Sequence, residues 1–165
     1  MKYRLKHTPG LNLSIILILA VVLALVLILS YNQTVEMEII ISILAIGISL
    51  SFSVSQSSLA NDRMFRELFM EYNQRYDRMN NDLYRITGII ELLPEDKQMI
   101  IDYFNLCAEE YLWFKKGRIP EDIWEAWKVG IKHYKNYPLF RLVAEEETSH
   151  DVSYYQFFRE VWKGL

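Results

Sequence analysis

Cysteine, glycine and histidine are scarce in this chain of 165 residues. The lone Cys107 excludes an intrachain disulfide, which agrees with a reducing compartment. The six glycines form neither a Walker phosphate loop nor a glycine-rich dinucleotide turn. Glu147 and His150 have the spacing of half a di-iron motif, but the other histidines do not supply the second half. We therefore expect no enzyme activity, no cofactor and no resident metal.

Charged residues are missing from two apolar stretches, residues 11–30 and 39–55. At 1.5 Å per helical residue, the first stretch covers a hydrocarbon core of about 30 Å. The second is shorter and contains several serines, but it follows the first after a short connector. We expect residues 1–55 to form a transmembrane hairpin. The absence of charge in both spans argues against a proton relay or a charged ion filter.

Positive charge flanks the outer ends of this predicted hairpin, whereas the connector of residues 31–38 holds two acids and no cation. The flanking cations are Lys2, Arg4, Lys6, Arg63 and Arg66. The positive-inside rule then places both termini in the cytoplasm and the connector outside. The expected location is the plasma (inner) membrane, as a multi-pass protein with residues 56–165 in the cytosol.

Apolar or aromatic residues recur in steps of three and four after the second span. They are Phe65, Phe69, Tyr72, Tyr76, Met79, Leu83, Ile86, Ile90 and Leu93. This seam predicts a heptad helix over residues 56–93, continuous with the second span. So long a helix should pack against a second copy of the chain, although the tyrosines favour a wider assembly or the remaining helices.

Two similar four-residue segments predict helix starts, with proline followed by two acidic residues in each. They are Leu93-Pro94-Glu95-Asp96 and Ile119-Pro120-Glu121-Asp122. The first helix should end at Lys115-Lys116-Gly117, and the second should run to about Asn136. Further helices are predicted over residues 138–147 and 153–163. The fold class is therefore all-α: a two-helix transmembrane hairpin, a long cytosolic helix and a small helical bundle.

Small residues form two rows on the second span. One row is Ser42, Ala45, Ser49 and Ser53, and the other is Gly47, Ser51 and Ser55. Such rows allow close approach of helices in lipid. A water path lined by hydroxyl groups is the alternative interpretation.

Two groups of residues could bind an anionic ligand. Arg78, Asn81 and Arg85 follow one another at steps of three and four on the outer face of the heptad helix. Pairing with Asp77 and Asp82, or plain solvation, is the alternative for these arginines.

The second group of candidate binding residues surrounds the predicted end of the first bundle helix. It consists of Lys115, Lys116, Arg118 and Lys132. Dipole capping explains the first two lysines but not the others. The chain as a whole has a net charge of −3, which disfavours binding of DNA or long RNA.

Four tryptophans fall in the predicted cytosolic part. Trp124 and Trp127 share a helix face, where they could stack on bases, but core packing is the commoner use of such residues in a small domain. The long helix should hold these tryptophans too far from the headgroups to form a membrane belt.

Two spans followed by a small, aromatic, all-helical domain resemble the compact membrane effectors of type III CRISPR systems that respond to cyclic oligoadenylate. Residues 104–111 (FNLCAEEY) look like part of a family signature. The resemblance implies an antiviral homo-oligomer that binds cyclic tetra-adenylate and perturbs the bilayer. An oligomer, for example a tetramer, that presents Arg78, Asn81 and Arg85 from each subunit around a symmetry axis would supply groups for the four phosphates and four adenines of this ligand. The alternative is a membrane-anchored module that recruits a protein, with no small ligand and no pore.

Overall fold

Helix α1 (Pro9–Tyr31) and the first part of helix α2 (Met37–Ile86) contain the two charge-free stretches. The structure, a computed structural model, describes residues 9–31 and 37–165. The predicted flanking cations at positions 2, 4 and 6 and most of the predicted connector, residues 32–36, lie outside the described residues. By length and composition, α2 can cross a membrane, and α1 contains a shorter apolar segment.

Helices α1 and α2 approach each other closely at Gly47. This glycine is buried, and a Cβ atom built on it would stand 2.6 Å from Cγ2 of Val22. Ser51 lies one turn further along and donates its hydroxyl to the Gly47 carbonyl at 2.9 Å. The other small-residue row is exposed, and Ser49 in it also bonds a carbonyl four residues back. Serine hydroxyls that donate to backbone carbonyls of their own helix do not require a water molecule as hydrogen-bond acceptor.

Helix α2 ends at Ile86, so the predicted heptad helix of residues 56–93 is too long. The hydroxyl of Thr87 donates to the backbone carbonyl three residues back at 2.7 Å. The amide of Gly88 also bonds three residues back, which tightens and closes the last turn. As a result Ile90, which the pattern placed in the seam, is 97% exposed.

The chain divides into two compact units, Met1–Arg63 and Met64–Leu165, and α2 contributes to both without interruption. In the second unit, the predicted helix starts and ends are largely confirmed. Its next three helices are α3 (Pro94–Lys115), α4 (Glu121–Lys135) and α5 (Pro138–Glu147). Gly117 follows α3 at a φ of 68°, a conformation that glycine adopts without steric cost.

The predicted last helix, residues 153–163, is wrong. After a 3₁₀ turn, Tyr155 and Gln156 have φ angles of 54° and 71°, in the left-handed region, and this interrupts any continuous helix. Only the short helix α6 (Phe157–Glu160) and a final 3₁₀ turn form. The described residues contain no strand, so the all-α class is confirmed.

The seam of α2 packs into the core of its own unit. Tyr72, Leu83 and Ile86 are buried among side chains of α3, α4 and α5. The Tyr76 ring lies 6.4 Å from that of Tyr103, and its hydroxyl is 3.2 Å from that of Tyr134. These contacts bury the seam within one chain, as the tyrosines suggested. The homo-oligomer stays a prediction.

Candidate functional site

Three contacts show that α2 and α3 run antiparallel. Arg85 at the end of α2 binds Asp96 in the first turn of α3. The rings of Tyr76 and Tyr103 meet further along, and Arg75 bonds Glu109 on the later part of α3. The two helices therefore face each other along most of the length that they share within the second unit.

An open groove of about 440 Å³ lies between these two helices. Its lining consists of Arg75, Arg78 and Met79 from α2 and of Asp102, Asn105 and Glu109 from α3. Of these residues, only Arg78 was a predicted binding residue. The α3 residues follow one another at steps of three and four, which marks a common helix face in the sequence. What the sequence does not show is that this face lies opposite Arg75.

Arg75 and Glu109 form the strongest polar link in the groove. Two guanidinium nitrogens of Arg75 donate to the two carboxylate oxygens of Glu109, at 2.5 and 3.2 Å. This hydrogen bonding raises the pKa of Arg75 further above its usual value, against the lowering effect of burial. A two-pronged pair of this kind fixes the orientation of both side chains relative to each other.

A buried carboxyl group lies next to this pair. Glu110 is 7% exposed, and burial raises its pKa to about 8; Arg75 lowers the pKa and Glu109 raises it. Burial also raises the pKa of the Cys107 thiol well above its usual value. Cys107 is 1% exposed, so it is the small core residue that its sequence context favoured.

The predicted row of Arg78, Asn81 and Arg85 does not form a single site within one chain. Arg78 lines the groove, and its Nε donates to a backbone carbonyl one turn back at 3.3 Å. Asn81 is exposed. Arg85 donates to Oδ1 of Asp96 at 2.5 Å and lies 3.7 Å from Asp82. Because Asp96 is 1% exposed, Arg85 serves first as the charge partner of a buried carboxylate.

Two of the four cations in the second predicted group contact side chains of their own unit. Lys115 donates to Glu160 at 3.1 Å and lies over the Tyr111 ring. Lys116 lies 4.6 Å from the centre of the Trp113 ring. The side chains of Arg118 and Lys132 are exposed, after α3 and on α4 respectively. The four cations do not converge on a pocket found among the described residues.

Trp124 and Trp127 belong to the core and its edge. Trp124 is 3% exposed and stacks on Phe114, with ring centres 5.1 Å apart. Trp127 stacks on Phe69 at 6.1 Å and meets Tyr72 edge-on. The core interpretation is confirmed for Trp124, and the stacking partners of both rings are protein side chains.

Comparison with known proteins found no match: no family model, curated protein or solved structure matches this chain. Among the described residues, no group of three or more histidine, cysteine, aspartate or glutamate side chains is placed to hold a metal ion.

Proposed function

We propose that this protein is a membrane-anchored interaction module. In this proposal α1 and α2 cross the inner membrane with both termini in the cytoplasm, and they hold the helical unit Met64–Leu165 at the membrane surface. The groove between α2 and α3 binds a protein partner there.

The exposed apolar surface of both helices supports the membrane anchor. Leu17 on α1 and Ile48 on α2 are 64% and 65% exposed, and many neighbouring aliphatic side chains are similarly uncovered. In water, burying such side chains would stabilise the protein by about 1.5–3 kcal/mol each. A contiguous surface of this kind indicates contact with lipid or another apolar partner.

The mixed lining of the groove supports a protein partner, and this observation carries the proposal. Arg75 and Arg78 provide positive charge, Asp102 and Glu109 provide negative charge, and Met79 offers an apolar surface. A polypeptide carries both signs of charge, amides and apolar groups, so it complements such a surface. A polyanion would instead meet two carboxylates, at a cost in Coulomb energy.

Site-specific photo-crosslinking tests this proposal. A photoreactive amino acid replaces Asn105 in the groove of the full chain, expressed in cells of its own source. The same group at Lys132, an exposed position on α4 that is not among the groove residues, is the matched control. We expect a discrete protein adduct in the membrane fraction from position 105 alone. Equal adducts from both positions, or none from position 105, contradict a partner site in the groove.

A membrane effector that binds a cyclic oligonucleotide is the second candidate function. It is favoured by the hydrogen-bond donors of Arg78 and Asn81, two residues of the first predicted binding group. Within the described residues, the terminal guanidinium nitrogens of Arg78 make no hydrogen bond, and Asn81 lies exposed one turn further on. A symmetric oligomer would bring several copies of these donors together around phosphates.

Liposomes containing the full chain and a trapped dye separate the two candidates. The effector predicts leakage when cyclic tetra-adenylate is added, and loss of leakage in Asn81→Leu but not in Asn105→Leu. The interaction module predicts no nucleotide-dependent leakage in any variant. It also predicts that the crosslinked adduct is lost when Arg78→Glu reverses the charge of the groove wall.

A further inference from the structure

Two ion pairs cross from α2 to α3 on either side of the open stretch of the groove. Arg75 binds Glu109 on one side, and Arg85 binds Asp96 further along α2 on the other. At 1.5 Å per residue, the stretch of α2 between these arginines is about 15 Å long. An extended polypeptide of about four or five residues spans this length, at about 3.3 Å per residue.

Between these ion pairs, the two walls of the groove carry charges of opposite sign. The register that the pairs define places Arg78 level with Asn105, and Asp102 lies about 4.5 Å further along the axis of α3. Arg78 and Asp102 are both exposed. Within the described residues, the terminal guanidinium nitrogens of Arg78 make no hydrogen bond, and Asp102 accepts one, from Gln98 to Oδ1 at 2.9 Å. One cation and one anion therefore face a ligand from opposite walls.

Asn105 and Met79 favour an extended segment over a helix as the ligand. Asn105 is exposed, and its amide offers both a donor and an acceptor. A bound helix satisfies its own backbone groups, whereas an extended segment has N–H and C=O groups that this amide can bind. Helices that dock in grooves use several apolar anchors, but Met79 alone is apolar among the described residues that line this groove.

We propose that the partner enters the groove as an extended segment in which an acidic residue stands next to a basic residue. This inference rests on the protein partner of the proposed function. Successive side chains of an extended chain point to opposite sides, about 3.3 Å apart along its axis. The acid then reaches Arg78 on one wall while the adjacent base reaches Asp102 on the other, and the backbone binds the amide of Asn105.

Photo-crosslinking from position 79 tests this inference and leaves the polar groups of the groove in place. An aliphatic amino acid with a diazirine group replaces Met79 in the full chain, in cells of its own source, and mass spectrometry maps the captured segment. We expect an acidic and a basic residue side by side within about five residues of the attachment point. A captured segment without such a pair overturns the inference.

The adduct from position 105 separates failure of this inference from failure of the proposed function. If position 105 captures a protein and position 79 does not, the segment captured from position 105 is mapped by the same criterion. No adduct from either position contradicts the protein partner itself. An adduct whose segment lacks the acidic and basic pair contradicts only the inference.

Neutralising the acidic wall gives a second measurement. Asp102→Asn should lower the yield of the adduct about two- to fivefold, the effect of losing one exposed ion pair. Asp122→Asn, at an exposed position on α4 that is not among the groove residues, is the matched control and should leave the yield unchanged. A purely acidic segment would bind better once Asp102 is neutral. An unchanged or higher yield in Asp102→Asn therefore overturns the inference.

Competition with a synthetic peptide of the captured segment distinguishes an extended occupant from a helix. Proline placed directly before the acidic and basic pair is compatible with an extended backbone but disrupts a helix. We expect the peptide with proline to compete for the adduct as well as the parent peptide does, to within about tenfold. Competition weakened by more than this shows a helical occupant and overturns the extended mode of binding.

Discussion

Arg85 illustrates at the residue scale how a side chain that suits a ligand can serve the fold instead. Its guanidinium is half exposed, yet it provides the charge partner for Asp96, which is almost fully buried. The second carboxylate oxygen, Oδ2, has no hydrogen-bond partner among the described residues. Removing Arg85 would leave a buried carboxylate uncompensated, so a loss of ligand binding in that variant would not identify a ligand site.

A double-mutant comparison tests the structural role of Arg85. We expect Arg85→Met to lower the denaturant midpoint of the second unit, because Asp96 then loses its charge partner. The double variant Arg85→Met with Asp96→Leu should be more stable than Arg85→Met alone, since no buried charge remains. Tryptophan fluorescence in detergent micelles reports the midpoint. A double variant less stable than the single one would falsify this role.

Glu110 should make the stability of the second unit depend on pH. Its pKa rises from 4.5 to about 8 on folding, mainly because of burial, so between these values the folded state binds the extra proton. Its contribution to stability is present below pH 4.5 and is lost as pH rises through about 8. The slope reaches at most about 1.4 kcal/mol per pH unit. Denaturant titrations at pH 5, 7 and 9 measure this effect.

Substitution isolates the effect of this carboxyl group. Glu110→Gln should flatten the pH dependence, whereas Glu145→Gln, at an exposed position on α5, should leave it unchanged. The prediction is contradicted when Glu110→Gln and the wild-type chain lose stability in parallel as pH rises.

At the element scale, the sequence predicts helix ends well where local chemistry determines them. Helices α3 and α5 begin at Pro94 and Pro138, and α3 ends just before Gly117. Each of these ends depends on the type of that residue and of its immediate neighbours in the sequence. Prediction failed where the backbone conformation is unusual for the residue type, as at Gln156 with its left-handed φ. It also failed at the end of α2. The helix ends at Ile86, but the apolar periodicity of the sequence continues past Thr87.

The groove was less predictable than the helices because it depends on pairing between two of them. Helical spacing places Asp102, Asn105 and Glu109 on one face, but only the register of α3 against α2 brings this face to Arg75 and Arg78. That register follows from packing of the whole unit rather than from any short segment.

The close approach of α1 and α2 predicts the effect of a single methyl group. Gly47→Ala places a Cβ atom 2.6 Å from Val22 Cγ2, and such overpacking costs about 1–3 kcal/mol. Adding Val22→Ala removes that atom and should restore part of the loss. Gly130→Ala is the control, because no atom lies within 4 Å of its added Cβ; it should stabilise α4 by about 0.5–1 kcal/mol.

Unfolding in mixed micelles of mild detergent and dodecyl sulfate, followed by circular dichroism, measures these changes. The expected order of stability places Gly47→Ala below the double variant and the double variant below the wild-type chain. If Gly47→Ala and Gly130→Ala behave alike, the close contact between α1 and α2 is contradicted.

At the scale of the whole molecule, α2 takes part in both proposed activities. It contributes the apolar stretch and Gly47 to the first unit, and it forms one wall of the groove in the second. Since α2 is one uninterrupted helix, the proposed membrane anchor and the proposed partner site share this element. In this proposal, membrane anchoring and partner binding therefore depend on one helix.

Crosslinking from position 105 in membranes that contain a chain with a reversed charge in the groove tests anchoring and partner binding together most directly. The photoreactive group is carried by the full chain with Arg78→Glu, and by a matched chain with Asn81→Leu, which changes an exposed residue of α2 that is not among the groove residues. The account predicts an adduct in the membrane fraction that Asn81→Leu retains and Arg78→Glu abolishes. An adduct found in the soluble fraction, or one that survives Arg78→Glu, would contradict it.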